Sequence, residues 1–417
     1  MPALDPGGPA RLLARPSVRA ALAALDRAGE ETRLVGGCVR DALLGLDAAD
    51  IDLATTLLPD AVIARGREAG LKAIPTGIDH GTITLIAAGE PVEVTTLRED
   101  VETDGRHAVV RFGRDFAKDA ERRDFTVNAL ALAADGRLHD TTGGADDLAA
   151  GRVRFIGDAA TRIREDALRI LRFFRFHARF GDGPPDRAAL AACVAARGAI
   201  ATLSRERVRS EFLKLLTAPG AHGAVETLSA TGLLARIIGG VGEVGRLSRA
   251  IDAGAPAIAR LAALAVATRE DAERLRENLR LSKAEHAALD GYARALVALR
   301  TREHVAADAM RALVAEHGTA AIGGALSAIT GEPRPRVTPA GIMAWKALEQ
   351  GAAPVLPVSG ADLVARGVPP GPRIGRALAA ARRLWLADGC PTDPEVAEAL
   401  IAQVLASEAV DERRDNP

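Results

Sequence analysis

Two aspartates separated by one residue, Asp50 and Asp52 in LVGGCVRDALLGLDAADIDLAT (Leu34–Thr55), are the first residues whose spacing suggests chemistry. In a strand, residues i and i+2 point to one face, so the two carboxylates converge. Converging carboxylates repel each other unless a hard cation sits between them, and Mg²⁺ takes such oxygen ligands. Upstream, Gly36-Gly37 falls between a strand and a helix, where backbone can approach a phosphate closely. Arg40 follows on that helix, able to meet the same triphosphate. An Asp-x-Asp by itself is commonly a solvated strand end. The glycine pair and Arg40-Asp41 at this spacing turn the balance towards a metal-dependent site.

Three further segments carry candidates. In PVEVTTLR (Pro91–Arg98), Glu93 lies in a strand among apolar neighbours. A lone strand glutamate usually faces solvent, but beside Asp50 and Asp52 it would be a third carboxylate, binding the metal that lowers the pKa of an attacking hydroxyl. In ERRDFTVNALAL (Glu121–Leu132), the polar residues Arg122, Arg123, Asp124 and Asn128 interrupt an apolar stretch. A helix cap with salt bridges accounts for them as well as a nucleotide site does, with Arg123 on the triphosphate and Asp124 on a ribose hydroxyl. In REDALRILRFFRF (Arg164–Phe176), Asp166 and Arg169 are three apart, hence neighbours on one helix face, and Arg172, Arg175 and Arg179 extend a basic stripe. An internal ion pair is the plain reading. The chemical one is that cytosine pairs an N4–H donor with an N3 acceptor, and adenine an N6–H donor with N1. An Asp acceptor beside an Arg donor suits both, while uracil and guanine present the reverse polarity. Such a pair could select C and A without a template.

The elements that must position these groups divide into two kinds. Thr32–Val35, Asp50–Ala54, Thr82–Ala87 and Val92–Leu97 read as short strands bounded by Gly, Pro or Asp. CVRDALLG between the first two reads as a helix closed by Gly45. A small α+β domain with a mixed sheet is expected over 32–150, after a helical segment in 1–31. From about Asp158 the spacing is helical, beginning with one helix over Ile163–Phe180. Helices are expected for a neck (151–235) and for a body and tail (236–410), before a solvated end (411–417).

Composition bounds the partners. With 417 residues, 48% hydrophobic and 26% charged, the chain is globular and has several domains. It has no apolar run of about 18 residues, so no membrane partner is expected. Three widely spaced cysteines, Cys38, Cys193 and Cys390, argue for reduced thiols in a cytoplasmic protein. The formal charge is −1, so any nucleic-acid binding must come from local basic patches. Gly151–Leu215 holds 14 Arg plus Lys against 7 Asp plus Glu. Aromatics at 3% disfavour a reader that stacks several bases.

Together these segments resemble the class II tRNA nucleotidyltransferase and poly(A) polymerase family. The patterns GGxVRDxxLG…DxD, EVTT, RRDFTxNA and EDxLRxxRFxRF stand in order, and LSRERVRSEFLKLL (Leu203–Leu216) resembles the family's last helical motif. The resemblance covers about Thr32–Ala230 and implies a polymerase-β-like head followed by an all-helical neck, body and tail. It implies Asp50, Asp52 and Glu93 as catalytic carboxylates, with Asp50 and Asp52 as metal ligands. It further implies that Gly36, Gly37, Arg40, Arg123, Asp124, Asn128, Arg172 and Arg175 hold the nucleotide, while Asp166 with Arg169 reads its base. Arg205, Arg207 and Arg209 are the expected RNA contacts.

Within the family, HGTITLI (His80–Ile86) resembles the tRNA enzymes, and the polar stretch Arg98–Phe116 resembles the mobile loop of full CCA-adding members. The expected reaction is Mg²⁺-dependent, two-metal addition of CCA to the tRNA 3′ end from CTP and ATP, with no obligatory protein partner. Poly(A) addition, a partial CC- or A-adding enzyme and an inactive RNA-binding protein are the rivals. An antibiotic or protein nucleotidyltransferase would have no use for the basic helical neck.

Overall fold

The computed structural model describes residues 4–415 apart from 28, 104–107 and 394. Its chain divides into two compact units, Met1–Ile237 and Ile238–Pro417.

The first unit begins with helices α1 (Gly8–Ala14) and α2 (Pro16–Leu25). Its sheet has seven strands, β1 (Thr32–Val35), β2 (Ile51–Thr55), β3 (Lys72–Gly77), β4 (Thr82–Ala87), β5 (Glu90–Thr96), β8 (Ala131–Ala133) and β9 (Leu138–His139). They lie in the order β3-β4-β5-β2-β1-β8-β9, and only the β2–β5 pair is parallel, so the sheet is mixed. β6 (Arg98–Thr103) and β7 (Ala108–Phe112) form a separate antiparallel ribbon.

Strand alternation determines which face is wet. β4 and β5 alternate buried and accessible residues, and Leu34, Leu53, Ile83, Val92 and Val94 are 0–1% exposed on one face. α2 and α4 (Pro59–Glu68) pack over that face. Each fully buried Val, Leu or Ile there stabilises the fold by about 1.5–3 kcal/mol. The opposite face carries Asp52 and Glu93 and stays accessible.

After the sheet come α5 (Phe116–Glu121), which lies between β7 and β8 in sequence, and then α6 (Gly144–Ala149), α7 (Ala159–Glu165), α8 (Arg169–Phe180), α9 (Arg187–Ala195), α10 (Arg205–Leu216) and α11 (Ala221–Ala230). The single helix expected over Ile163–Phe180 is broken. Asp166 is extended (φ −151, ψ 106), because its carboxylate Oδ1 accepts the Leu168 N–H at 3.0 Å and its carbonyl accepts the Arg169 N–H at 3.0 Å. Aspartate side chains compete with helix in this way, and here Asp166 closes a turn between two helices instead. β3 was missed from sequence because Pro75 and its polar residues disguise an edge strand. The stretch Arg98–Phe116, which resembles the mobile loop of full CCA-adding members, is largely the β6–β7 ribbon, and residues 104–107 lie outside the described residues.

The second unit is helical, with one two-residue parallel bridge between His304–Val305 and Arg336–Val337. Its C-terminal part packs around Trp385, with Leu363, Ala377, Ala381 and Val404 also at 0% exposure. Within VSGADLVARGVPPGPRIGRAL (Val358–Leu378), residues 366–371 connect two helices, Gly360–Ala365 and Pro372–Ala387. No helix among the described residues is long and apolar enough to cross a membrane.

Candidate active site

The parallel β2–β5 ladder sets Asp52 directly opposite Glu93, so the two side chains share one face. Asp50 lies two residues before Asp52, at the entry to β2. Burial, the charge of Glu93 and the charge of Asp50 push the Asp52 carboxyl up to about 6, against the opposing pull of Arg123. Among the described residues no three His, Cys, Asp or Glu side chains are gathered at metal-ligand spacing. The donor set nevertheless fits a hard divalent cation, since it consists of oxygen ligands whose mutual repulsion such an ion would relieve.

A cavity of ≈ 590 Å³ opens beside these carboxylates. Asp50, Asp52 and all ten candidate nucleotide contacts line it, and Glu93 does not. Gly36 is at φ +74, and a Cβ there would lie 2.8 Å from Arg123 Nη1, so the turn into α3 (Gly37–Leu43) requires glycine. Arg40 on α3 is 6% exposed. It donates to Asp41 Oδ1 from Nε at 2.9 Å and Nη2 at 2.7 Å, and to Asn128 Oδ1 at 2.5 Å. Burial lowers its pKa, and Asp41 offsets part of that effect.

Asn128 in turn donates to Asp124 Oδ1 at 3.0 Å, and Arg172 Nε donates to Asp124 Oδ2 at 2.6 Å. Burial would raise the Asp124 carboxyl, but the Arg172 charge and the Asn128 hydrogen bond win and hold it below its ordinary value. Arg123 is steadied by Asp119, whose Oδ2 accepts from Nη2 at 3.0 Å and Nε at 3.3 Å. Asp119 was not singled out from sequence. Its position four residues before Arg123 is the helical spacing that could have flagged it.

The base-reading candidates are arranged differently from expectation. Asp166 and Arg169 both line the cavity but do not form the expected pair on one helix face. Asp166 Oδ2 accepts from Arg207 Nη2 at 2.6 Å, and Arg169 pairs with Glu165. Arg175 pairs with Glu211 at 2.6 Å and stacks over Phe176, with its guanidinium carbon 4.2 Å from the ring centroid. Arg179 and Phe180 complete that wall.

Arg207 therefore lines the cavity, while Arg205 and Arg209 do not. At about 100° per residue along α10, Arg205 and Arg209 share a face and Arg207 points away from it. The three arginines do not form one RNA-facing stripe.

Comparison with known proteins places this geometry in a context. Residues 32–154 match the family described as "Poly A polymerase head domain", and residues 185–241 that described as "Probable RNA and SrmB- binding site of polymerase A". The chain is 31% identical over 374 residues to a CCA-adding enzyme of Limosilactobacillus fermentum, covering 86% of this chain and 90% of that one. It is 39% identical over 262 residues to the mitochondrial CCA tRNA nucleotidyltransferase 1 of Mus musculus (61% of this chain, 60% of that one). The match to the Homo sapiens counterpart is 47% over 189 residues (45% and 44%), so the chain spans only about half the length of these mitochondrial relatives. The solved Bacillus stearothermophilus CCA-adding enzyme in complex with CTP superposes with a TM-score of 0.72 at 27% identity, covering 95% of this chain and 98% of that one.

Proposed function

The chain belongs to the CCA-adding enzyme family, and from that premise we propose that it adds C, C and A to the 3′ end of tRNA, using CTP and ATP and releasing pyrophosphate. The observation that carries this reading is the set of carboxylates on one sheet face beside an arginine-lined cavity. A pure RNA binder has no physical need for such carboxylates. Asp50 and Asp52, assisted by Glu93, would hold Mg²⁺. Two bound ions would supply charge neutralisation at the attacking hydroxyl and at the departing pyrophosphate.

The protein's own groups do the positioning. The Gly36-Gly37 turn lets the triphosphate approach backbone, and Arg40, Arg123, Arg172 and Arg175 spread positive charge along it. Each is already oriented by a carboxylate or amide partner, so little side-chain entropy is lost on binding. Asp124 and Asn128 would receive the ribose. For base choice, Asp166 presents acceptor oxygens fixed by Arg207 and the Leu168 N–H, and Arg169 supplies the donor. Arg205 and Arg209 would meet RNA phosphates. The three buried, unbonded cysteines accord with the cytoplasmic placement we favour, although some relatives are named as mitochondrial.

The test is incubation with labelled CTP, ATP and Mg²⁺ on tRNA lacking its CCA end. We expect addition of CMP, CMP and AMP, followed by arrest. The head-domain match names poly(A) polymerase, which favours AMP addition as a second reading. A long ladder from ATP alone would select that reading, and no incorporation at all would sink both.

A further inference from the structure

A second cleft, of ≈ 570 Å³, lies on the same face of the sheet as the carboxylates and shares no lining residue with the nucleotide cavity. The strand register relates the two. Leu34 stands opposite Leu53, which sets Val35 beside Asp52; Val35 pairs with Ala131, and Ala131 with His139. Glu93, Asp52, Val35, Ala131 and His139 therefore form one row across the sheet. His139 lies three strand spacings from Asp52, about 14 Å. Phe116 packs against Val35 and Ala131 along that row and forms a wall of the cleft.

The lining mixes small apolar, aromatic and polar groups, with the carboxylates of Glu31 and Asp115 among them. Ala129 and Ala131 make a small, smooth floor. Arg33 stacks on Phe116, with its guanidinium carbon 4.0 Å from the ring centroid. Its charge is met by Glu31 at 2.6 Å, and Arg114 at the rim is met by Glu30 at 2.8 Å, so neither is a spare cation for phosphate. His139 Nε2 is buried and has no hydrogen-bond partner among the described residues, which is unfavourable unless a ligand supplies one. Burial, with the charges of Arg33 and Arg137, lowers the His139 pKa against the opposing pull of Glu31 and Asp135. Thr141 adds a hydroxyl. An imidazole and a hydroxyl beside an aromatic–guanidinium stack suit the edge and face of a nucleobase, as proteins commonly treat unpaired RNA bases.

We propose that this cleft seats an unpaired base of the acceptor RNA, a few nucleotides upstream of the reacting 3′ end. The assignment rests on the CCA-adding reading and deepens it. With the 3′-hydroxyl at Asp52, the preceding nucleotides must cross this open face or leave it, and the cleft is the base-sized recess along that row. Seating one base there registers the terminus against the carboxylates.

The test uses Ala117→Trp, which fills the cleft from α5, and His139→Ala, which removes the unpartnered nitrogen without adding bulk. Steady-state kinetics on tRNA lacking CCA should give a KM for tRNA raised about tenfold in Ala117→Trp, as expected for one lost base stack. His139→Ala should shift the same constant in the same direction, and KM for CTP should be unchanged in both. Acceptors made abasic at each terminal nucleotide in turn should identify one position whose loss raises the wild-type KM similarly. That position should add nothing further in Ala117→Trp. Unchanged KM for tRNA in both variants, a shift in KM for CTP instead, or fully additive abasic penalties would overturn the assignment. Failure of the wild type to incorporate CMP at all would instead overturn the CCA-adding reading. A thermal melt of each variant separates loss of fold from loss of the site.

Discussion

At the residue scale, the catalytic role proposed for Asp52 would tie activity to stability. Its carboxyl titrates near 6 in the folded protein against an ordinary value of 3.8, so the folded state holds the proton more tightly than the unfolded one. Ionisation therefore destabilises the metal-free fold, fully above about pH 6 and not at all below about pH 4. Asp52→Asn, measured in a chelator, should melt higher than wild type at pH 8, and this advantage should fade as pH falls from 6 to 4. The same variant should lose roughly a thousandfold or more in CMP incorporation, because a metal carboxylate is gone. Normal activity with no stability gain would refute the assignment. Asp166 makes a second residue-scale case. If Asp166 reads the base as proposed, Asp166→Ala removes a contact worth about 1–3 kcal/mol, and UTP incorporation relative to CTP should rise about tenfold or more. Arg207→Ala should move discrimination in the same direction by freeing the Asp166 carboxylate. If both variants melt lower yet keep nucleotide preference, the pair is only a structural clamp.

At the element scale, the β6–β7 ribbon stands out because two strands outside a larger sheet are marginally stable. It leaves the end of β5, which carries Glu93, and leads into α5, which packs against β6 and holds Asp119. A change in the ribbon can thus reach Arg123 through one short helix. CTP and ATP differ in size, while the Asp166 carboxylate is held by the Leu168 N–H and Arg207. If the site takes both, as proposed, something else must yield when a purine replaces a pyrimidine. Replacing residues 99–106 by two glycines should leave addition of both C residues largely intact and abolish addition of A. Gel-resolved products would then stop at CC. Normal completion, or equal loss of both steps, would remove the ribbon from the switching mechanism.

At the scale of the whole molecule, a formal charge of −1 gives no general attraction to RNA. Binding must come from local patches, such as the excess of arginine in residues 151–215. Log affinity for tRNA should fall with log salt, and neutralising Arg205 and Arg209 together should flatten that slope. Neutralising Arg207 should leave the slope nearly unchanged, since it lines the arginine-rich cavity and points away from the face that Arg205 and Arg209 share. Filter-binding titrations over a salt series read both. An unaltered slope in the Arg205/Arg209 variant would put the RNA on another surface.

Local pattern was sufficient for whatever depends on local pattern. The i, i+2 spacing of Asp50 and Asp52, the glycine pair before α3 and the alternation of β4 and β5 could be read directly, because strand periodicity and glycine's freedom act within a few residues. Five ordered motifs carried the family resemblance and, with it, the division into an α+β head and helical remainder. Pairing across the chain was not legible. The partner of Asp166 is Arg207, 41 residues away, rather than Arg169, and the break that makes this so is a turn closed by the Asp166 side chain itself. Edge strand β3, with its proline and exposed residues, offered no hydrophobic period to detect. The cleft between Phe116, Arg33 and His139 also has no sequence signature, since it exists only because β1, β8, β9 and α5 meet. Side-chain partners and recesses are set by which elements pack together, and that is a free-energy balance over the whole head rather than a property of any one segment.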